Sequence, residues 1–321
     1  MNKTIAAALV AACLLLTGCS GTTVIYQEMT PAPEVQPEPT PNPGPSGAVK
    51  TGLAIIADTT DSDSGEEAAY DVAVAAVTVD ENGVIRQCII DGVDIDVPFD
   101  RTGTVTGDIT STLQSRSETS DIFAGRAEQV ASHSVGKTAA QLQNGGDDDE
   151  EELLNAVARA AESAQHVGAQ EGDELRLALI GDLSGSTSAT GSEAGRVRLN
   201  CDASAVTFRG ETITSCRIDS VQADVSFDAM GTITGELSRH VKTKTELGDD
   251  YGMKRYGGAS YEWYEQAENF AAYAAGKTAA QILGLELSDG KPVQPDLAAS
   301  VTISVTPFRA LIARAWDQEV R

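Results

Sequence analysis

The sequence predicts an α+β protein made of two tandem repeats, each a mostly antiparallel sheet covered by helices. Three observations predict it. Residues 85–108 and 213–236 match without a gap at roughly half of their positions, pairing Cys88 with Cys216, Asp91 with Asp219, Phe99 with Phe227, Asp100 with Asp228 and Gly103 with Gly231. The match continues upstream, where Leu53 and Asp58 correspond to Leu177 and Asp182, and downstream, where Gly136-Lys137-Thr138 corresponds to Gly276-Lys277-Thr278. Within each copy, strand-like alternation comes first and helical spacing follows. These limits place the repeats at 50–168 and 173–321.

Each copy opens with a strand ending at Asp58 or Asp182, followed by a loop rich in Ser, Thr, Gly and Asp and a second strand over 72–79 or 197–208. Asp80-Glu81-Asn82-Gly83 and Arg209-Gly210 are turn formers that reverse the chain. Val93, Ile95 and Val97, like Val221, Ala223 and Val225, alternate with polar neighbours, which predicts a strand with one buried and one wet face. Residues 100–103 and 228–231 predict a second hairpin turn, into short strands at 104–106 and 232–234.

Helices follow in both copies. Gly136 and Gly276 read as left-handed residues closing one helix, and Thr138 with Gln141, or Thr278 with Gln281, as the capping box opening the next. The Gly-Lys-Thr triplets are therefore not phosphate loops, which require a glycine where Ala131 and Ala271 stand. Near the C-terminus the pattern predicts a strand at 301–305, Thr306 as N-cap, Pro307 in the first turn, and Leu311, Ile312, Ala315 and Trp316 on one helix face. Its counterpart in copy one spans 151–164. The acidic run 147–152 before it reads as a solvated linker whose charges favour the positive end of the helix dipole.

Charge bounds the partners. The 321 residues carry 23 Lys and Arg against 48 Asp and Glu, a formal net charge of −25, so a nucleic acid would be repelled at long range. At 41% hydrophobic residues the chain can nevertheless build a core. Ile5 to Leu16 is an apolar run, shorter than the ~20 residues a spanning helix needs, and reads as a signal sequence. Leu16-Thr17-Gly18-Cys19 follows at once. It resembles the lipobox of bacterial lipoproteins, and the resemblance implies that residues 1–18 are removed, that Cys19 is acylated, and that the membrane is a partner through its acyl chains. Residues 19–49 then form a linker in which Pro31, Pro33, Pro37, Pro39, Pro41, Pro43 and Pro45 favour an extended spacer.

Of the remaining cysteines, Cys88, Cys201 and Cys216 read as small apolar strand residues, with a Cys201–Cys216 bridge as the other reading. No Cys/His cluster has metal-ligand spacing, and His133, His166 and His240 read as surface or helix-end residues. No nucleophile stands in a catalytic context, so the chain reads as non-enzymatic.

The informative stretch is 239–273, longer in copy two by about a dozen residues and holding five of the seven tyrosines, including Tyr251, Tyr256, Tyr261 and Tyr264, with Trp263 and the cations Arg239, Lys242, Lys244, Lys254 and Arg255. Two readings stand side by side. Lys242, Lys244, Tyr251, Lys254, Trp263 and Tyr264 can hold a planar or anionic ligand, a small molecule or envelope component. The aromatics can equally form an amphipathic helix that covers the sheet.

Lys242 to Lys254, with Glu262-Trp263-Tyr264-Glu265-Gln266 and Gly276-Lys277-Thr278, resembles membrane-anchored bacterial lipoproteins related to the FMN-binding-domain and major-membrane-immunogen group. The resemblance covers copy two from about Val197 onward and implies an extracytoplasmic location. Asp182-Leu183-Ser184-Gly185-Ser186-Thr187 is similar to the sequence on which some extracytoplasmic flavoproteins carry covalent FMN, although one residue short and with Ser186 in place of Ala. The alternative is an extracytoplasmic electron carrier that holds FMN on the same aromatic, cationic segment or on Thr187. Intact-mass spectrometry of native material is expected to show a chain that begins at Cys19 and carries acyl chains there, and Cys19→Ser is expected to move the protein from the membrane fraction to the soluble one.

Overall fold

The computed structural model describes residues 47–142 and 148–317. The signal sequence, Cys19 and the Pro-rich linker up to residue 46 lie outside the described residues, as does Asp147 of the acidic run. Gly44–Arg321 form one compact unit.

The fold is mixed α and β, with antiparallel sheets. The first half contains β1 (Lys50–Asp58), β2 (Glu67–Val79), β3 (Ile85–Pro98), α1 (Arg116–Thr119), α2 (Asp121–Ser134), α3 (Ala139–Leu142) and α4 (Asp148–Glu162). The second contains β4 (Glu174–Asp182), β5 (Gly195–Arg209), β6 (Thr212–Phe227), α5 (Lys244–Leu247), α6 (Met253–Gly257), α7 (Trp263–Ala274) and α8 (Ala279–Leu283). It ends with a two-stranded ribbon, β7 (Leu287–Ser288) and β8 (Lys291–Pro292), and with α9 (Pro295–Ala298) and α10 (Thr306–Asp317). Each half has a three-stranded meander, in the orders β1-β2-β3 and β4-β5-β6.

The two meanders pack face to face. Ile55, Val72, Val74 and Val93 of the first share a core with Leu177, Leu179, Leu199 and Val221 of the second. The opposite face of β2, with Ala73, Ala75 and Val77, lies under Phe123 of α2 and Leu154 and Val157 of α4. Val206, Phe208 and Ile213 of the second sheet lie under Phe270 of α7 and Leu311 and Ile312 of α10. The order of layers is helix, sheet, sheet, helix. Where helices cover it the central strand is apolar on both faces, as over Val72–Val77 of β2, whereas the uncovered start of β5 carries Arg196, Arg198, Asn200 and Asp202 on its outer face; each fully buried Leu, Ile or Phe contributes about 1.5–3 kcal/mol.

Contacts between the halves come in matched pairs. The rings of Phe99 and Phe227 stack at 4.1 Å between centroids. Leu113 donates its N–H to Gly181 O at 3.0 Å, and Val241 donates to Ala57 O at 2.9 Å. Arg314 reaches Glu118 at 2.5 Å, and Arg159 reaches Glu246 at 3.3 Å. Side chains close the sheet edges laterally. The Gln87 amide donates to Asp173 O and accepts from Leu175 N on one side, while the Thr51 and Ser215 hydroxyls bond at 2.7 Å on the other. These contacts leave little free edge for another chain to extend.

Several expectations are refined. The third strand of each sheet is longer than its alternating part, because its first residues pair with β2 or β5 beneath the helix layer. The returning strands at 104–106 and 232–234 do not form and leave only the bridges Phe99↔Val105 and Phe227↔Ile233. The bridges are held by Asp100 N to Thr104 O and Thr106 N to Pro98 O, with Asp228 N to Thr232 O and Thr234 N to Ser226 O in the second half, so the expected hairpin turns form; the outward Val105 N donates to Ser188 Oγ and Ile233 N to Ser64 Oγ, each in the other half, at 3.0 Å. Residues 301–305 are extended but form no strand, because Thr302 N and Ile303 N donate to the side-chain oxygen of Gln266 in α7. Gly136 and Gly276 adopt φ of 86° and 82°, and Thr278 and Gln281 form the expected capping box. Cys88, Cys201 and Cys216 are free and lie on strands. Cys201 faces the inter-sheet core and Cys216 the helix layer, so no bridge can join them.

Gly103 and Gly231 turn at φ of 67° and 70°, and a Cβ on either would lie 2.6 or 2.5 Å from the carbonyl oxygen of Asp228 or Asp100 in the opposite half. Gly231→Ala is expected to lower unfolding free energy in urea by about 2–4 kcal/mol, from left-handed strain plus overlap. Gly210 has φ of 58° with nothing within 4 Å, so Gly210→Ala isolates the strain alone, at about 1–2 kcal/mol.

Candidate functional site

The stretch that distinguishes the second half begins with a capping box. Thr243 Oγ1 accepts from Glu246 N, and the Glu246 carboxylate accepts from Thr243 N at 2.9 Å. This fixes the start of α5 and turns Lys244 inward. Its ammonium lies 4.9 Å from the Trp263 ring centroid and 5.7 Å from that of Tyr251. Burial pulls Lys244 below the ordinary lysine range, against the opposing pull of Asp202 on β5 and Asp219 on β6. Desolvation pushes both of those carboxyls up. Asp219 also accepts from Ser220 N at 2.8 Å and Thr245 N at 3.2 Å, tying α5 to the sheet. Lys244 is thus a cation held between aromatic faces and acidic strand residues.

Trp263 is 6% exposed, its ring edge-on to Phe308 of α10. With Gln266, Ala267, Phe270, Ala271 and Ala274 it forms the buried face of α7. Glu262 just before it is 1% exposed, and its carboxylate accepts from Met253 N at 2.7 Å and Lys254 N at 2.9 Å, capping α6. Lys254 bonds Asp249 and Glu265, each at 3.1 Å, and is thereby pushed up to about 12. The Tyr264 hydroxyl points to Asp249 at 3.5 Å. Lys242 is exposed. Of the six residues selected from sequence, the structure brings Lys244, Tyr251 and Trp263 together in an interior cluster, while Lys254 and Tyr264 meet at Asp249.

A different part of the same segment faces water. Tyr256 is 80% exposed, the Arg255 guanidinium lies 5.9 Å from its ring centroid, and Tyr261 is exposed nearby in sequence. Sequence reasoning counted these residues among the tyrosines and cations but did not select them. Glycines on both sides of α6, Gly252 at φ 83° and Gly258 at φ 65°, were the available signal of a short projecting turn.

Thr187 exchanges two backbone hydrogen bonds with Arg196, each 2.8 Å. Its neighbours are engaged in the fold: Ser186 Oγ bonds Leu183 O and Arg198 N, and Ser188 Oγ accepts from Val105 N across the halves. The Thr187 backbone and its two serine neighbours thus form a clasp within and between the halves, while the Thr187 side chain itself is exposed.

Two depressions open on the surface. One of about 210 Å³ lies among Asp94, Arg116, Ser120, Phe123 and Arg126, and one of about 300 Å³ between residues 190–194 and 228–230. Neither is lined by the six selected residues. The histidines stand apart, His166 near Glu81 and His240 near Glu246. Among the described residues no group of His, Cys, Asp and Glu could hold a metal ion, and no helix is long and apolar enough to cross a membrane. Comparison with family models, curated proteins and solved structures finds no match.

Trp263→Ala is expected to cost about 3–5 kcal/mol of stability, as for other large-to-small changes in a packed core. Tyr256→Ala, at an exposed position, should stay within about 0.5 kcal/mol of the parent in the same denaturant titration.

Proposed function

We propose that the chain is a lipid-anchored extracytoplasmic protein carrying two copies of one α+β module, and that it acts by binding an envelope component rather than by catalysis. The lipobox ending at Cys19 and the Pro-rich spacer support the anchoring. The matched sequences, the shared strand order and the paired contacts across the halves support the duplication.

The binding reading is carried by one observation: among the aromatic rings of the segment Tyr256 is by far the most exposed, at 80%, and it stands beside Arg255. An exposed tyrosine ring offers a stacking face for a sugar or other planar group, and the adjacent guanidinium can pair with a carboxylate. The rigid base, with Lys244 beneath Trp263 and Glu262 capping α6, limits the ordering cost of binding. Net charge of −25 disfavours polyanions and leaves the neutral or sparsely charged glycans of the envelope as the suited class.

Co-sedimentation of the full chain with purified cell-wall glycan tests this. Retention is expected to fall about tenfold for Tyr256→Ala and for Arg255→Ala, the scale of a moderate interface residue, with unchanged unfolding midpoints. Unaltered retention in the double variant overturns the crest as the binding surface. Flavin absorbance in the purified protein overturns the reading in favour of an electron carrier.

A further inference from the structure

The first half has its own charge cluster, exposed at Asp94 and covered at Glu152 by the docking of α4. Leu153, Leu154, Ala156, Val157 and Ala160 dock α4 on the outer face of the first sheet. Glu152, immediately before Leu153, enters the same interface, where its Oε1 is shielded from water and has no hydrogen-bond partner. The charged groups that face it are Asp58 of β1, Asp71 of β2, Asp94 of β3 and Arg116 of α1. Arg116 is already engaged, 2.8 Å from Asp71 and 3.2 Å from Asp94, with its guanidinium 4.6 Å from the Phe123 ring centroid of α2. From α2, Arg126 borders the same depression as Asp94 and Arg116. Arg116 is thus shared between Asp71 and Asp94, and the shielded Glu152 oxygen is left without a partner.

We propose that Glu152 is a proton-operated latch: protonated, it lets the first turns of α4 dock on the sheet, and ionised, it releases them. Burial raises its carboxyl most, the Asp71 charge adds to the rise, Arg116 opposes it, and Asp58 and Asp94 add further, so that it is pushed up to about 7. A released Glu152 titrates at the ordinary glutamate value. In the window between that value and about 7 the docked form holds a proton that the released form lacks. Docking is therefore complete below the window and weakens as pH rises through it. The far end of α4 is tied independently, by Arg159 to Glu246 at 3.3 Å and by Ser163 Oγ to Leu53 O at 3.1 Å just beyond the helix. Release is confined to the first turns.

Amide hydrogen exchange on the full chain, corrected for intrinsic rates, tests the latch. Between about pH 5 and pH 8, protection of amides 152–157 is expected to fall about tenfold, while strand β5 is unchanged. Glu152→Gln is expected to remove the dependence and hold protection at the low-pH level. A carboxyl carbon titration of the parent protein gives a readout independent of any variant. An ordinary glutamate midpoint for Glu152, an unchanged pH dependence in Glu152→Gln, or a loss of protection spread evenly over all elements overturns the proposal.

Discussion

A three-stranded meander cannot bury both of its faces alone, and every other feature follows from how this chain solves that constraint. Each sheet gives one face to the other sheet and part of the other face to its own helices, so each central strand is apolar on both faces where the helices lie over it. The turns at Asp100 and Asp228 then meet over the Phe99–Phe227 stack, at a separation that leaves no room for a Cβ on Gly103 or Gly231. The sheet edges are closed by Gln87, by the Thr51–Ser215 pair, and by Leu113 and Val241 reaching across to the opposite first strand.

Helices cover only part of each outer face, and charge collects where the cover ends. In the first half Arg116 stands at that boundary, paired with Asp71 and Asp94; in the second Lys244 stands there, near Asp202 and Asp219. The two occupy corresponding positions after matched capping boxes at Ser115 and Thr243. Arg116 makes bidentate-capable hydrogen bonds to its carboxylates, whereas Lys244, a point charge, sits on aromatic rings. The difference between the halves is therefore chemical as well as one of length. It brings Trp263 into the core and leaves Tyr256 on the surface.

Much of this was legible in the sequence, because strands and caps depend on local patterns. The ends of β1 and β4 at Asp58 and Asp182, the left-handed Gly136 and Gly276, and the capping box of Thr278 are set by backbone preferences that single residues express. What was not legible depends on distant partners. Residues 104–106 alternate well enough for a strand, yet their pairing is a single bridge at Phe99↔Val105, and the outward Val105 N–H goes to Ser188 in the other half. Val301, Thr302, Ile303 and Val305 are β-branched, yet Gln266 takes the N–H bonds of Thr302 and Ile303. Glu152 belongs to a run of six acidic residues and looks solvated until α4 is placed on the sheet. The site residues divide in the same way: tyrosine spacing marks the segment, but burial alone separates Trp263 from Tyr256.

The crossed bonds from Leu113 to Gly181 and from Val241 to Ala57 carry a cost in time. A ribosome completes the first meander well before the second exists. At ordinary elongation rates of 5–20 residues per second the interval is roughly ten seconds. Throughout it, the inner face of Ile55, Val72 and Val74 and the open side of β1 have no mate within the chain. A nascent polypeptide of this design remains sticky for that interval, so a holding factor, or delivery in an unfolded state, suits its biogenesis better than stepwise folding of one half after the other.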